Sequence, residues 1–217
     1  MGSLGEQFAQ VILIRHGETA WNQAQTFRGR KDIPLNAKGK EQAKKLADSL
    51  EGISLDGIYS SPLQRALQTA KPLAEKCNLN VVPMEAFNDL SFGEWEGLTR
   101  TEVEKRYPEA FRLWVESPQD YVCPGGESLE GARQRAKDGL DNLLQKHDGG
   151  TIAIVTHRVI LKLLLLEALG LDNKKFWHLQ QDNCALNVLK HDSRKGFTLV
   201  RFNETSHLHP LKEFLRR

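Results

Sequence analysis

Two apolar runs constrain this chain most: Val11–Ile14 within "QVILIR" and Ile152–Val155 within "TIAIVTH". Each reads as a short strand buried on both faces, which is the pattern of a sheet covered by helices on either side. Helical patterns follow both. After "PLN" the residues Ala43, Leu46, Ala47 and Leu50 recur at helical spacing, with Asn36 placed as a cap. After "TIAIVTH" a helix runs through Leu169 and stops at Gly170.

The rest of the chain extends this alternation. "DGIYSS" and "NVVPM" supply two more strands. Ser61-Pro62 reads as an N-cap with proline in the first turn, opening a helix with Ala66, Ala70, Leu73 and Cys77 on one face. "GGESLEGARQRAKDGLDNLLQKH" is a long amphipathic helix, and "CALNVLKHD" with "FTLVRFNE" forms a terminal hairpin around Gly196. The expected fold is therefore α/β: a three-layer α/β/α sandwich whose mostly parallel sheet ends in an antiparallel edge. Between about Phe87 and Pro124 the short helical patterns of Val103, Tyr107, Phe111 and Trp114 break the alternation. That stretch reads as a small helical cap insertion within a single domain spanning 1–217.

Several classes are disfavoured. A 217-residue chain can bury a sizeable core without disulfides or structural metal. Its cysteines, Cys77, Cys123 and Cys184, are odd in number and form no CxxC pair, which suits reduced thiols and a cytoplasmic location. The opening "MGSLGEQFAQ" lacks the basic-then-apolar order of a secretory leader. "VILKLLLL" is too short to span a membrane and is broken by Lys162. A formal charge of +2 does not suggest nucleic acid, and Phe92, Trp95, Trp114 and Trp177 are not interleaved with basic residues as a base-stacking surface would be. The histidines of "HLH", His207 and His209, read as a solvated tail rather than a metal site. Neither GxxxxGK[ST] nor GxGxxG occurs, so no nucleotide cofactor is expected.

Ligands of such sheets sit beyond the carboxyl ends of the strands. There the chain places Arg15-His16, Thr156-His157 and, in the helix after "IYSS", Arg65. Two guanidiniums and two imidazoles converging on one crevice suit a dianionic oxyanion, because arginine's planar fork matches phosphate oxygens with paired hydrogen bonds. Helix N-termini beside Ser61 and His157 would add dipoles of the right sign. Gly17 would let the backbone approach a bound group closely. Taken singly, each residue has a plainer explanation as a solvated charge or a hydrogen-bonded core histidine. Their joint placement points to a phosphate pocket.

The "RHGE" quartet at Arg15–Glu18, followed by Asn22, resembles the signature of the histidine phosphatase superfamily, the phosphoglycerate mutase-like group. The resemblance continues through "FRGRKDIPLNAKGKEQA", "SSPLQRALQTA", "LSFGEWEG", "PGGES" and "TIAIVTH", in the family's order, over roughly residues 10–190. It implies that His16 is the nucleophile, forming a phosphohistidine, while Arg15, Arg65 and His157 hold the equatorial oxygens. It also implies that Asn22, Arg28 and Gly29, beside Gly17, line the substrate and phosphate site, and that neither metal nor cofactor is required. The family usually places glutamate three residues before the phenylalanine of "FGEWEG"; here Asp89 stands there as proton donor to the leaving oxygen, with Glu18, Glu94 and Glu127 as alternatives.

A metal-independent phosphomonoesterase acting on a small phosphorylated metabolite is the leading expectation. A cofactor-dependent phosphoglycerate mutase and a non-catalytic phospholigand-binding protein are the alternatives. The short insertion, and "THRV" where mutases tend to have a small residue after the histidine, favour hydrolysis; "THRV" resembles the α-ribazole phosphatase branch. The expected partner is a small phosphomonoester, not nucleic acid or membrane, and a homodimer is left open.

Overall fold

In β1 (Ala9–Arg15) successive side chains point to opposite cores: Val11 and Leu13 into one, Ile12 and Ile14 into the other. In this computed structural model, which describes residues 8–208, the same split recurs in β4 (Thr151–Thr156) and shapes the whole molecule. There Ile152 and Ile154 join the first core, Ala153 and Val155 the second. Full burial of one such aliphatic side chain is worth about 1.5–3 kcal/mol, so these two central strands anchor both layers at once. Most of the leader stretch, and His209 of "HLH", lie outside the described residues.

The chain order is β1, α1 (Ala20–Gln23), α2 (Ala37–Ser49), β2 (Gly57–Ser60), α3 (Gln64–Cys77), β3 (Val81–Pro83), α4 (Arg100–Arg106), α5 (Pro108–Glu116), α6 (Leu129–Lys146), β4, α7 (Arg158–Ala168), β5 (Leu186–Asp192) and β6 (Gly196–Glu204). The strands form one sheet in the order β3-β2-β4-β1-β5-β6. β3, β2, β4 and β1 run parallel, while β5 and β6 are antiparallel to their neighbours, giving the mixed α/β sandwich and antiparallel edge that the pattern predicts. Helices α2 and α3 cover one face; α6, α7 and the aromatic segment cover the other. Among the described residues no helix is long and apolar enough to cross a membrane.

Helix α2 starts where Asn36 caps it, its side chain accepting from Gly39 N at 2.8 Å. Helix α3 differs from expectation. Its N-cap is Leu63, not Ser61, because the main chain stays extended through Ser61, whose N–H bonds Val155 O at 2.9 Å. The Ser61 hydroxyl accepts from Leu63 N at 3.3 Å and faces His157 Nε2 at 2.7 Å.

Between β3 and α6 the chain forms α4, α5 and short 3-10 turns. Thr99 and Glu102 form a reciprocal capping box at the start of α4, and Pro108 opens α5 at its first position. Val103, Phe111 and Trp114 turn inward to the α6–α7 side of the core. This segment is tied to the chain after α1 by Phe27 N–Leu98 O and Gly97 N–Phe27 O bonds, both 2.9 Å.

Candidate active site

The carboxyl ends of β1, β2 and β4 meet at the same edge of the sheet, and with them the residues of an inner cluster. His16, Arg65 and His157 are fully buried, and Arg15 and Asp89 nearly so. The end of β1 is fixed by the His16 N–Thr156 O bond at 2.9 Å and by Asn183 donating to His16 O at 3.1 Å. The rings of His16 and His157 lie 5.3 Å apart.

The tautomer of His16 follows from its surroundings. Nδ1 lies 2.7 Å from the Gly17 carbonyl, which can only accept, so Nδ1 carries the proton and donates it. Nε2 then has a lone pair, and it is buried with no hydrogen-bond partner in the described structure. Burial, followed by the charges of Arg65, His157, Arg15 and Arg28, holds the ring's pKa well below that of a free imidazole. His16 is a neutral base with one nitrogen tethered and the other open.

His157 is also neutral. Burial, then Arg65 and Arg28, pushes its pKa well down. Arg65 Nε donates to Nδ1 at 3.2 Å, so Nε2 carries the proton toward Ser61 Oγ at 2.7 Å. The positive charge of the cluster therefore resides on its arginines, not on its imidazoles.

Arg65 is heavily engaged. Besides His157 it donates to Lys31 O and Gly29 O, both at 2.8 Å, and to Asp89 Oδ2 at 3.1 Å. Asp89 Oδ2 also sits 3.5 Å from His157 Nδ1, so one protein carboxylate lies against both groups. The Asp89 main chain is clamped in turn: Arg135 donates to its carbonyl at 3.1 Å while also holding Ala86 O and Glu127. Thr156 reaches across to Phe87 O at 2.7 Å, linking the end of β4 to the same loop. Arg15 donates to Gln181 O at 2.7 Å, but its Nε is buried without a partner.

Outside this cluster lies a chamber of about 470 Å³, within the range of sites that enclose whole small molecules. Asn22, Arg28, Gly29 and Asp89 line it, together with Phe27, Phe92, Phe111, Trp114 and Trp177. The two histidines are not in its wall; Asp89 and Arg28 are the residues that belong to both regions. Arg28 Nε is buried and unpartnered, and burial lowers the Arg28 pKa to about 10.

Gly17 sits against protein rather than open space. A Cβ there would meet Gly39 O at 2.7 Å, so the close approach the glycine permits is to the first turn of α2. Gly29 has φ +49° and packs against the Glu96 carboxylate, which accepts from Arg30 N at 3.0 Å. Of the alternative acids, Glu18 is held by Asn36, Gln23 and Lys38, Glu127 by Arg30 and Arg135, and Glu94 is exposed. Sequence reasoning missed Ser61 as partner of His157 and Arg135 as the clamp on Asp89. Ser61 was visible but explained by capping, and nothing about Arg135 marked it within an amphipathic helix.

An α/β sheet with arginines and a tethered histidine at its carboxyl edge defines the class of an oxyanion-handling enzyme. The profile of the histidine phosphatase superfamily (branch 1) matches residues 11–205, and the chain belongs to that family. It is 38% identical to phosphoserine phosphatase 1 of Hydrogenobacter thermophilus, over 92% of this chain and 94% of that protein. Among solved structures, YhfR of Bacillus stearothermophilus superposes with a TM-score of 0.87 at 30% identity, covering 92% of this chain and 98% of the other. The α-ribazole phosphatase of Shigella flexneri gives 0.82 at 29%, covering 90% and 96%. The protein is a phosphatase.

Proposed function

We propose that the protein is a metal-independent phosphomonoesterase that hydrolyses a small phosphorylated metabolite through a phosphohistidine on His16. One observation carries the reading: His16 Nε2 is buried and unpartnered, with Nδ1 tethered to Gly17 O and the ring held neutral among arginines. Such a nitrogen is a nucleophile at neutral pH that needs no base to free it.

In the first step Nε2 attacks phosphorus in line and the ester P–O bond breaks. Asp89, carrying a proton, delivers it to the departing alkoxide oxygen. Arg15, Arg28 and Arg65 take up the charge on the equatorial oxygens, and His157 holds a further oxygen once its Nε2–H turns from Ser61 Oγ. In the second step water attacks phosphorus, Asp89 takes a proton from it, the P–N bond breaks and the His16 lone pair is restored. Because Asp89 rests on Arg65 in the free enzyme, it swings off that arginine as the phosphate arrives. Gly17 shapes the turn that holds His16, and Asn22 and Gly29 border the substrate. The segment from about 87 to 124 caps the pocket within a single domain.

The test is release of phosphate from p-nitrophenyl phosphate in the presence of excess chelator. The reading predicts sustained turnover that His16→Ala abolishes while the fold, checked by circular dichroism, persists. Turnover that stops with chelator, or phosphoryl groups returned to phosphoglycerate rather than water, would contradict it.

A further inference from the structure

Asn187 stands where a central position of a sheet ordinarily carries an aliphatic residue. It lies in β5 opposite Leu13 of β1 and is fully buried. A buried amide is costly unless its donors and acceptor are met, so its partners show what it is for. Asn203 N, which can only donate, faces Oδ1 at 2.9 Å, and Leu13 O, which can only accept, faces Nδ2 at 3.4 Å. Those two contacts fix which way the amide points. Its remaining capacity goes to Gln181, also buried: Nδ2 donates to Gln181 Oε1 at 2.7 Å, and Oδ1 accepts from Gln181 Nε2 at 3.0 Å.

The strands depart from regular pairing around this amide pair. Opposite Asn187 the register of β5 and β6 shifts, so that Phe202 and Asn203 face it together, and Asn203 takes φ +48°. The bulge also sets the Asn203 side chain against Asp182, accepting from its N–H at 2.7 Å and donating to its carboxylate at 2.9 Å. Gln181 and Asp182 are thus pinned from β5 and β6. Directly after them, Asn183 donates to His16 O and Cys184 N to Arg15 O, both at 3.1 Å.

What Gln181 offers the site is its own carbonyl. It accepts from Arg15 Nη1 at 2.7 Å, the one hydrogen bond that the Arg15 side chain makes among the described residues. A guanidinium held at that corner keeps its plane, and the edge carrying Nε is left without a protein partner. Arg135 shows what such an edge can hold: its Nε and Nη2 grip the two oxygens of Glu127 at 2.7 and 2.9 Å. We infer that Asn187 is a positioning residue: its amide pair with Gln181 fixes the carbonyl that aims the open edge of Arg15 at two oxygens of the phosphoryl group. The inference rests on the reading that Arg15 holds those oxygens.

The test is a double-mutant cycle between Asn187 and Arg15, read by kcat/KM for p-nitrophenyl phosphate and by calorimetric binding of inorganic phosphate. Asn187→Ala should lower kcat/KM by roughly 10- to 100-fold, the scale of a misplaced catalytic group, and should weaken phosphate binding. In the Arg15→Gln background the same substitution should change either quantity by less than about 2-fold. Equal losses in both backgrounds would overturn the inference, since a role confined to stability does not depend on Arg15. No loss in either background would overturn it as well. If Asn187→Ala does not fold, Gln181→Met combined with Asn187→Leu removes both amides together, so that neither is left facing a lost partner. That variant should show the same loss and the same dependence on Arg15, and wild-type activity in it would overturn the inference. An Arg15→Gln enzyme that turns over and binds phosphate like the wild type would defeat the reading of Arg15 and the inference with it. Impairment by Arg15→Gln without coupling to Asn187 would defeat the inference alone.

Discussion

The inner cluster and the outer chamber share Asp89 and Arg28 but are built on opposite terms. Inside, Arg65 alone makes four hydrogen bonds to protein, one of them to the buried Asp89 carboxylate. Outside, aromatic residues share the chamber wall with Arg28 and Arg158, whose side chains have no carboxylate hydrogen-bonded to them among the described residues. Apart from Arg15 Nε and His16 Nε2, the first region is satisfied within the protein; in the second, Arg28 Nε is not. Chemistry that must be held to a fraction of an ångström profits from a rigid, saturated frame. Recognition of a particular metabolite profits from groups whose best partner arrives with it.

If Asp89 serves both as partner of Arg65 and as acid, its removal should separate substrates by leaving group. Asp89→Asn is expected to slow hydrolysis of alkyl phosphates by about 10²- to 10⁴-fold, the usual scale of general acid catalysis. The loss on p-nitrophenyl phosphate should be much smaller, since nitrophenolate departs without a proton. Comparable losses in kcat/KM, which reports phosphoryl transfer to His16 and not the later attack of water, would count against Asp89 as the donor.

The saturation of the inner cluster should appear in stability. Arg65→Ala leaves Gly29 O, Lys31 O and a buried Asp89 without their donor, and breaking a buried ion pair on one side costs about 3–5 kcal/mol. Urea unfolding should register it, whereas Arg158→Ala in the outer wall should change the midpoint little. Similar shifts from the two variants would erase the contrast.

A smaller effect comes from pH. Folding depresses the pKa values of His16 and His157, while unfolded imidazoles titrate near 6.5. Between the depressed values and about 6.5 the unfolded chain binds more protons, so this part of the stability is full above about pH 6.5 and falls as the pH drops. The urea midpoint should decline from about pH 7.5 to about pH 5.5, and His157→Asn should flatten that decline. An undiminished slope in the variant would mean that the ring is not held neutral by folding.

The same contrast explains what the sequence made legible. Strands β1 and β4 announced themselves as continuous apolar runs because both faces are covered, and they carry Arg15, His16 and His157 at their ends. The inner cluster could be read because its residues sit at fixed offsets from those strands. The chamber could not, since its wall draws on residues from Asn22 to Trp177 that converge only through packing. Arg158 was visible as a departure from the mutase pattern, but its place in the chamber wall with Asp89 is a property of the fold. The packing of Ser61 and Gly17 was hidden for a related reason. A serine before proline resembles a cap, and a glycine beside a histidine suggests room for ligand, until Val155, His157 and Gly39 are seen against them.

The central claim is that phosphorus becomes bonded to His16 Nε2. The most direct measurement is intact-mass analysis of enzyme mixed briefly with excess substrate and quenched in alkaline detergent, which preserves the acid-labile P–N bond. The account predicts a transient population heavier by one phosphoryl group, mapped by fragmentation to His16 and missing from His16→Ala. Steady turnover with no such adduct on a millisecond quench, or an adduct that persists in the variant, would contradict it.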